Sequence, residues 1–127
     1  MIKDVKFSGN KLTIISEKGD HFVMDLEATI YKVVHTASRI AVLLSWEELV
    51  NTEFYNRNII CLNEKGEILW RIVNQDTLSI SKKKTNFVYS MLVLKDSRYL
   101  EVATTLGMAT DVDIDTGNFI GEGRFIK

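Results

Sequence analysis

This sequence of 127 residues contains no proline, one cysteine and two histidines, and its basic and acidic residues nearly cancel, 16 against 17. A net charge of −1 supplies no whole-molecule attraction to nucleic acid or to an anionic membrane. One cysteine, Cys61, cannot form an internal disulfide. Its neighbours are apolar and nothing basic lies beside it in sequence, so it reads as a buried structural thiol rather than a nucleophile. The longest uninterrupted aliphatic run, residues 40–44, is far shorter than the roughly 20 residues that cross a bilayer. The opening stretch, residues 1–7, lacks the apolar centre of a signal peptide. A cytoplasmic protein with no membrane partner is therefore expected. Proline interrupts strand ladders, so its absence suits a chain built from strands.

What is present is apolar and patterned. With 46% hydrophobic residues, a chain of this length can bury a core without disulfide or metal, and a single all-β domain over residues 1–127 is expected. Strands are read from alternation between turns. Residues 2–7, 11–16 and 21–26 are the first three, divided by Ser8-Gly9-Asn10 and Glu17-Lys18-Gly19-Asp20. In the third, Phe22, Met24 and Leu26 alternate with His21, Val23 and Asp25. Residues 30–34 and 39–46 follow. Residues 45–56 read as a loop with one helical turn: Ser45 and Glu48 have capping-box spacing, but the segment is too short for a free-standing helix. Residues 87–94 with 98–104, and 110–115 with 118–125, form two further hairpins. Nine or ten strands are expected, nearly all pairing with their sequence neighbours. Residues 73–85, which carry Lys82-Lys83-Lys84, read as an exposed polar loop.

The strongest local signal lies at residues 57–72. Two apolar runs, 59–62 and 68–72, flank Asn63-Glu64-Lys65-Gly66, a turn with glycine where a left-handed backbone is wanted, which predicts an antiparallel hairpin. Ile59-Ile60-Cys61-Leu62 is apolar without alternation, so this strand is expected to be covered on both faces. The turn recurs: Glu17-Lys18-Gly19, Glu64-Lys65-Gly66 and Asp115-Thr116-Gly117 place their glycines 47 and 51 residues apart. Ala41-Val42-Leu43-Leu44 likewise has a counterpart in Met91-Leu92-Val93-Leu94. A period near 50 with this strand–turn–strand order is how a propeller blade reads. The chain holds about two and a half such modules, fewer than the four or more of a closed propeller. The fold class is therefore all-β, with antiparallel hairpins in a sandwich or open-barrel arrangement of propeller-blade-like modules. Leu43, Ile60, Leu62, Trp70, Leu92 and Val102 are its expected core. A monomer is the first expectation and a homodimer joined through strand edges the second, since an open stack leaves edges that invite pairing.

The run Arg57-Asn58-Ile59-Ile60-Cys61-Leu62-Asn63-Glu64-Lys65-Gly66-Glu67-Ile68-Leu69-Trp70-Arg71-Ile72 resembles the N-x-x-C-L-x-x-x-G-x-x-x-W-x-I hairpin of small bacterial proteins of toxin-immunity type. It is also similar to one hairpin of quinoprotein-type propeller blades. The resemblance implies a small binding protein without enzymatic activity, in its most concrete form an immunity protein that occludes the active site of a toxin domain, such as a nuclease. A structural or adaptor module working through strand-edge pairing is the alternative. Function resides in sites rather than folds, so the resemblance carries over architecture more securely than activity.

Several constellations invite a chemical reading. Asp111, Asp113 and Asp115, with Glu122 eleven residues after Asp111, have the outline of a calcium loop. The sixth position holds Thr116 instead of the glycine that loop requires, and the flanks read as strands, so an outer strand face is expected and no metal. His21 and His35 have no partner ligand at metal spacing, and the chain has neither a nucleophile elbow nor a glycine-rich phosphate loop. Neither a catalytic residue nor a cofactor is predicted. The three lysines at 82–84 sit together in a polar stretch instead of alternating with aromatics along a face, so direct nucleic-acid binding is not expected.

Two surfaces remain as candidates for a protein partner. One is the loop with Trp46, Glu47, Glu48, Glu53 and Tyr55, which joins acids to aromatic anchors of the kind that dominate interface energies. The other is the strand with Asp111, Asp113 and Asp115, the densest run of acid in the chain without interleaved Lys or Arg. Either suits a partner with a basic cleft, and the loop is preferred because it can enter a cleft where a flat strand cannot.

Overall fold

The structure is a computed structural model that describes residues 1–75, 87–105 and 107–125. Lys82, Lys83 and Lys84 lie outside the described residues. Among those described there are eleven strands: β1 Ile2–Ser8, β2 Lys11–Ser16, β3 His21–Asp25, β4 Ile30–His35, β5 Arg39–Leu44, β6 Ile59–Asn63, β7 Ile68–Arg71, β8 Tyr89–Leu94, β9 Tyr99–Thr104, β10 Met108–Asp113 and β11 Phe119–Phe125. They form three antiparallel sheets, β1-β2-β3, β4-β5-β6-β7 and β8-β9-β10-β11, each a simple meander. The fold is all-β and blade-like as the repeat implied, with three modules in place of two and a half.

The sheets stack face to face in chain order. One core cluster joins Leu12 and Ile14 of the first sheet to Ile40, Val42, Leu44, Ile60 and Leu62 of the second. The other joins Ala41, Leu43, Ile59 and Cys61 of the second to Leu92, Leu100, Val102 and Val112 of the third. The middle sheet thus has a partner on each face, which is why residues 40–44 and 59–62 are apolar without alternation. A buried Leu, Ile or Val contributes roughly 1.5–3 kcal/mol, and every residue of both runs is buried.

The turns set an equivalence between the sheets. The amides of Gly19, Gly66 and Gly117 return to the carbonyls of Ser16, Asn63 and Asp113 respectively. This aligns β2 with β6 and β10, and the strands without a counterpart in the first sheet are β4 and β8, the first of each later sheet. It also aligns Ile14 with Cys61 and with Asp111. Phe22 pairs with Ile14, and Trp70 pairs with Cys61.

Each later turn seats itself on the sheet before it. A Cβ on Gly66 would fall 2.7 Å from Met24 Sδ and 2.9 Å from Phe22 Cε1, and one on Gly117 would fall 2.5 Å from Trp70 Cδ2. Trp70 Nε1 donates to the carbonyl of Ile114 at 2.8 Å. Asn58, fully buried, ties the same two sheets at the other end. Its Nδ2 donates to the carbonyls of Leu44 and Tyr89, and its Oδ1 accepts from the Tyr89 amide.

The expected core needs one correction. Leu43, Ile60, Leu62, Leu92 and Val102 are buried, but Trp70 is half-buried and Ile68 is 57% exposed. A bulge in the β6–β7 ladder pairs Ile68 with Leu62 and Trp70 with Cys61. Since Leu62 and Cys61 point to opposite faces, the alternation of Ile68 with Trp70 is broken there. Trp70 is an inter-sheet anchor.

The three turn glycines supply a controlled comparison. Gly19 and Gly117 share a left-handed backbone, with φ of +89° and +78°, but nothing lies within 4 Å of a Cβ on Gly19. Gly19→Ala should cost only the backbone strain, about 1–2 kcal/mol. Gly117→Ala should add an overpacking cost of about 1–3 kcal/mol against Trp70. Urea unfolding of both variants checks this, and equal losses would mean that Trp70 does not rest on that turn.

Candidate functional site

The loop between β5 and β6 carries the first candidate surface. Its 3-10 turn, Trp46–Leu49, is anchored by the buried Leu49. The capping box does not form, because Ser45 Oγ donates instead to the Tyr31 hydroxyl, and Glu48 accepts from the Thr29 amide at 3.1 Å. Hydrogen bonds from Thr29 hold the Glu48 carboxyl below the ordinary carboxylate range. Tyr31 in turn donates to Glu47 at 2.6 Å, and that bond raises the Tyr31 pKa. Glu47 and Glu48 are therefore fixed towards the start of β4, and Glu53 stands exposed farther along the loop.

Trp46 and Tyr55 meet. With Val50, Phe87, Val88 and Thr105 they line a recess of about 210 Å³ between the β5–β6 loop and the entry to β8. Trp46, Val50 and Phe87 are 36%, 53% and 43% exposed, while Tyr55 is half-buried against the first core cluster. The sequence does not join Phe87 to this surface, because it lies 41 residues from Trp46 and converges on it only through the stacking of the second and third sheets.

The acidic strand fares differently. Arg39 opens β5 and pairs with Asp115 at 3.3 Å, so this region sits at the opposite end of the middle sheet from Trp46. Asp111 is held by Lys95 and Arg124, both at 3.4 Å, and Arg124 also pairs with Glu101. Asp113 accepts from the Asp115 amide and so closes the turn. The run without interleaved Lys or Arg in sequence is thus interleaved in space by cations from other strands. Asp111 lies opposite Ile120 in the register set by the turn, where the Asp113 amide donates to the Asn118 carbonyl, and the β10–β11 ladder slips beyond it, between Asp111 and Ala109.

Asp111 also occupies the position that Cys61 holds in the middle sheet, and Glu101, opposite it, occupies that of Ala41. The face of the third sheet that looks away from the second is therefore charged where the second sheet is apolar. Its ion pairs make it a solvated covering face, not the preferred partner surface.

Cys61 is buried and free. Desolvation pushes its pKa up to about 12, and its Sγ lies 3.7 Å from the Ile114 carbonyl. That environment suits packing and opposes thiolate chemistry. His35 Nδ1 lies 3.0 Å from the Thr36 carbonyl, and no group of three His, Cys, Asp or Glu among the described residues is placed to hold a metal.

A larger concavity was not foreseen. Between the β2–β3 and β6–β7 turns lies a cleft of about 640 Å³, with Ile2, Ile14 and Phe22 as its apolar wall and His21, Glu64 and Lys65 at its mouth. Its wall residues are scattered in sequence, and only the pairing of the first two sheets assembles them.

The chain belongs to the family described as a domain of unknown function (DUF7957), which it matches over residues 2–123. No curated protein matches it. Among solved structures it is similar to BamB from Moraxella catarrhalis, with a TM-score of 0.63 and 15% sequence identity. That match covers 97% of this chain and 34% of BamB, so the chain spans about a third of the length of its structural neighbour. At this identity the likeness, to a propeller-like structure, shows the fold alone. No helix among the described residues is long and apolar enough to cross a membrane.

The engaged acids give a definite expectation. Replacing Asp111, Asp113 and Asp115 together with alanine removes a turn hydrogen bond and leaves Arg39 and Arg124 short of partners. Stability should fall by about 1–3 kcal/mol, measured by chemical denaturation, and part of the loss should disappear in high salt. A gain in stability would mean that repulsion among the acids outweighs these pairs.

Proposed function

We propose that this is a small binding protein which docks a protein partner through the Trp46–Tyr55–Phe87 recess. Its most concrete form is an immunity protein that occludes a toxin domain with a basic cleft. The observation that carries the reading is the recess itself. It is a concavity that brings the exposed Trp46 and Phe87 together with the half-buried Tyr55, and Glu47, Glu48 and Glu53 lie on the same loop as Trp46. Aromatic anchors in pockets supply most of the energy of protein interfaces, and a rim of one charge sign steers a partner of the opposite sign. The resemblance of residues 57–72 to immunity-type proteins supports the same reading. A non-catalytic role accords with a thiol buried at a raised pKa and with acids that are committed to ion pairs, turns and backbone amides.

Pairing through strand edges is the second reading. β1, an edge strand of the first sheet, carries exposed Lys3 and Lys6, and lysine on an edge opposes such pairing there.

The test uses a toxin domain encoded beside this chain, with association measured by calorimetry at low and high salt. Trp46→Ala should weaken binding at least tenfold, as expected for a loss of about 1.4 kcal/mol or more at an anchor. Reversing charge at Glu47, Glu48 and Glu53 should weaken binding and flatten its salt dependence, whereas reversal at Asp113 should leave both unchanged. Binding that ignores both the Trp46 and the loop-acid variants would reject the recess.

A further inference from the structure

The junction between the second and third sheets is closed by an indole: Trp70 lies over Gly117 and donates its N–H to Ile114. The junction between the first and second sheets has a similar plan with two changes, a different aromatic ring and a turn one residue shorter, Gly66 lying three residues after Asn63 where Gly117 lies four after Asp113. Phe22 stands in the place of Trp70, paired with Ile14 as Trp70 is with Cys61. Gly66 stands in the place of Gly117, and Glu64 follows Asn63 as Ile114 follows Asp113. Phenylalanine is smaller than tryptophan and has no N–H to donate. Phe22 reaches Gly66 with its ring edge yet remains 48% exposed, and the cleft of about 640 Å³ opens beside it.

We propose that this cleft binds the indole of a tryptophan side chain presented by a partner chain. The ring packs against Phe22 over the buried Ile2 and Ile14, and its N–H faces the Glu64 carbonyl, as that of Trp70 faces Ile114. The volume falls within the range of pockets that hold small ligands, which are apolar with a few polar groups fixing orientation. Aromatic pairs add to simple area burial when stacked with an offset or edge to face. The mouth carries both signs of charge, with Lys18, Lys65 and the Met1 ammonium beside Asp20 and Glu64, the ammonium 3.1 Å from the Glu64 carboxylate. Such a rim complements the donors and acceptors of a peptide backbone, so the indole of a protein chain fits better than a free hydrocarbon. This site is separate from the Trp46 recess and does not depend on it.

The probe is the blocked tripeptide acetyl-Gly-Trp-Gly-amide, titrated into the isotope-labelled chain and followed by NMR. Saturable shifts are expected at His21, Phe22, Lys65 and Gly66, with a dissociation constant on the order of a millimolar for a ligand of this size. The corresponding leucine peptide should bind at least tenfold more weakly. Phe22→Trp places an indole in the cleft from within and should abolish binding while the spectrum stays folded. Phe22→Leu, at a half-exposed position, should keep the fold and weaken binding at least threefold. Any one of three results would overturn the proposal: absence of saturable shifts at these residues, equal affinity for the leucine peptide, or undiminished binding by Phe22→Trp.

Discussion

The middle sheet, β4 to β7, must be covered on both faces, and the rest of the molecule follows from that requirement. Residues 40–44 and 59–62 offer apolar side chains in both directions, and neither face could be left to water without losing much of the core. The first sheet covers one face through Leu12 and Ile14, and the third covers the other through Leu92, Leu100, Val102 and Val112. Hydrogen bonds then fix the register of what burial alone would leave free to slide. Asn58 joins the second and third sheets at one end of the stack, and Trp70 joins them at the other.

The same logic explains the outward faces. The first sheet turns Lys6 and Thr13 away from the stack, and Lys11 pairs there with Asp25 at 3.2 Å. The third turns out Glu101 and Asp111, joined by Lys95 and Arg124. These outer faces also carry exposed apolar side chains, Val23 on the first sheet and Val93 and Ile120 on the third. The Trp46 recess and the Phe22 cleft lie at opposite ends of the stack, each at a junction between neighbouring sheets.

Much of the architecture was legible in the sequence. Lack of alternation in residues 59–62 announced a strand covered on both faces, and the spacing of Gly19, Gly66 and Gly117 announced the modules. The motif residues Asn58, Cys61, Gly66, Trp70 and Ile72 all face a neighbouring sheet, which is why they stood out together. Less legible was whatever depended on register. Alternation placed Ile68 and Trp70 on one face, and a bulge separated them. The acids at 111, 113 and 115 had no basic neighbours in the chain, but Lys95, Arg124 and Arg39 reach them from other strands. Phe87 and the Phe22 cleft needed contacts between residues tens of positions apart, and no local pattern reports those.

Cys61 provides the most direct test of the doubly covered middle sheet, because it lies fully buried between the second and third sheets with its thiol pKa pushed up to about 12. Its labelling by a thiol reagent, measured in increasing sub-denaturing urea, reports the opening that exposes it. If neither outer sheet holds together apart from the middle one, labelling proceeds only through global unfolding. Its free energy and urea dependence then equal those of the whole transition followed by circular dichroism. Labelling with a much smaller urea dependence and a lower free energy would contradict this, since it would mean that the third sheet lifts away while the others remain folded.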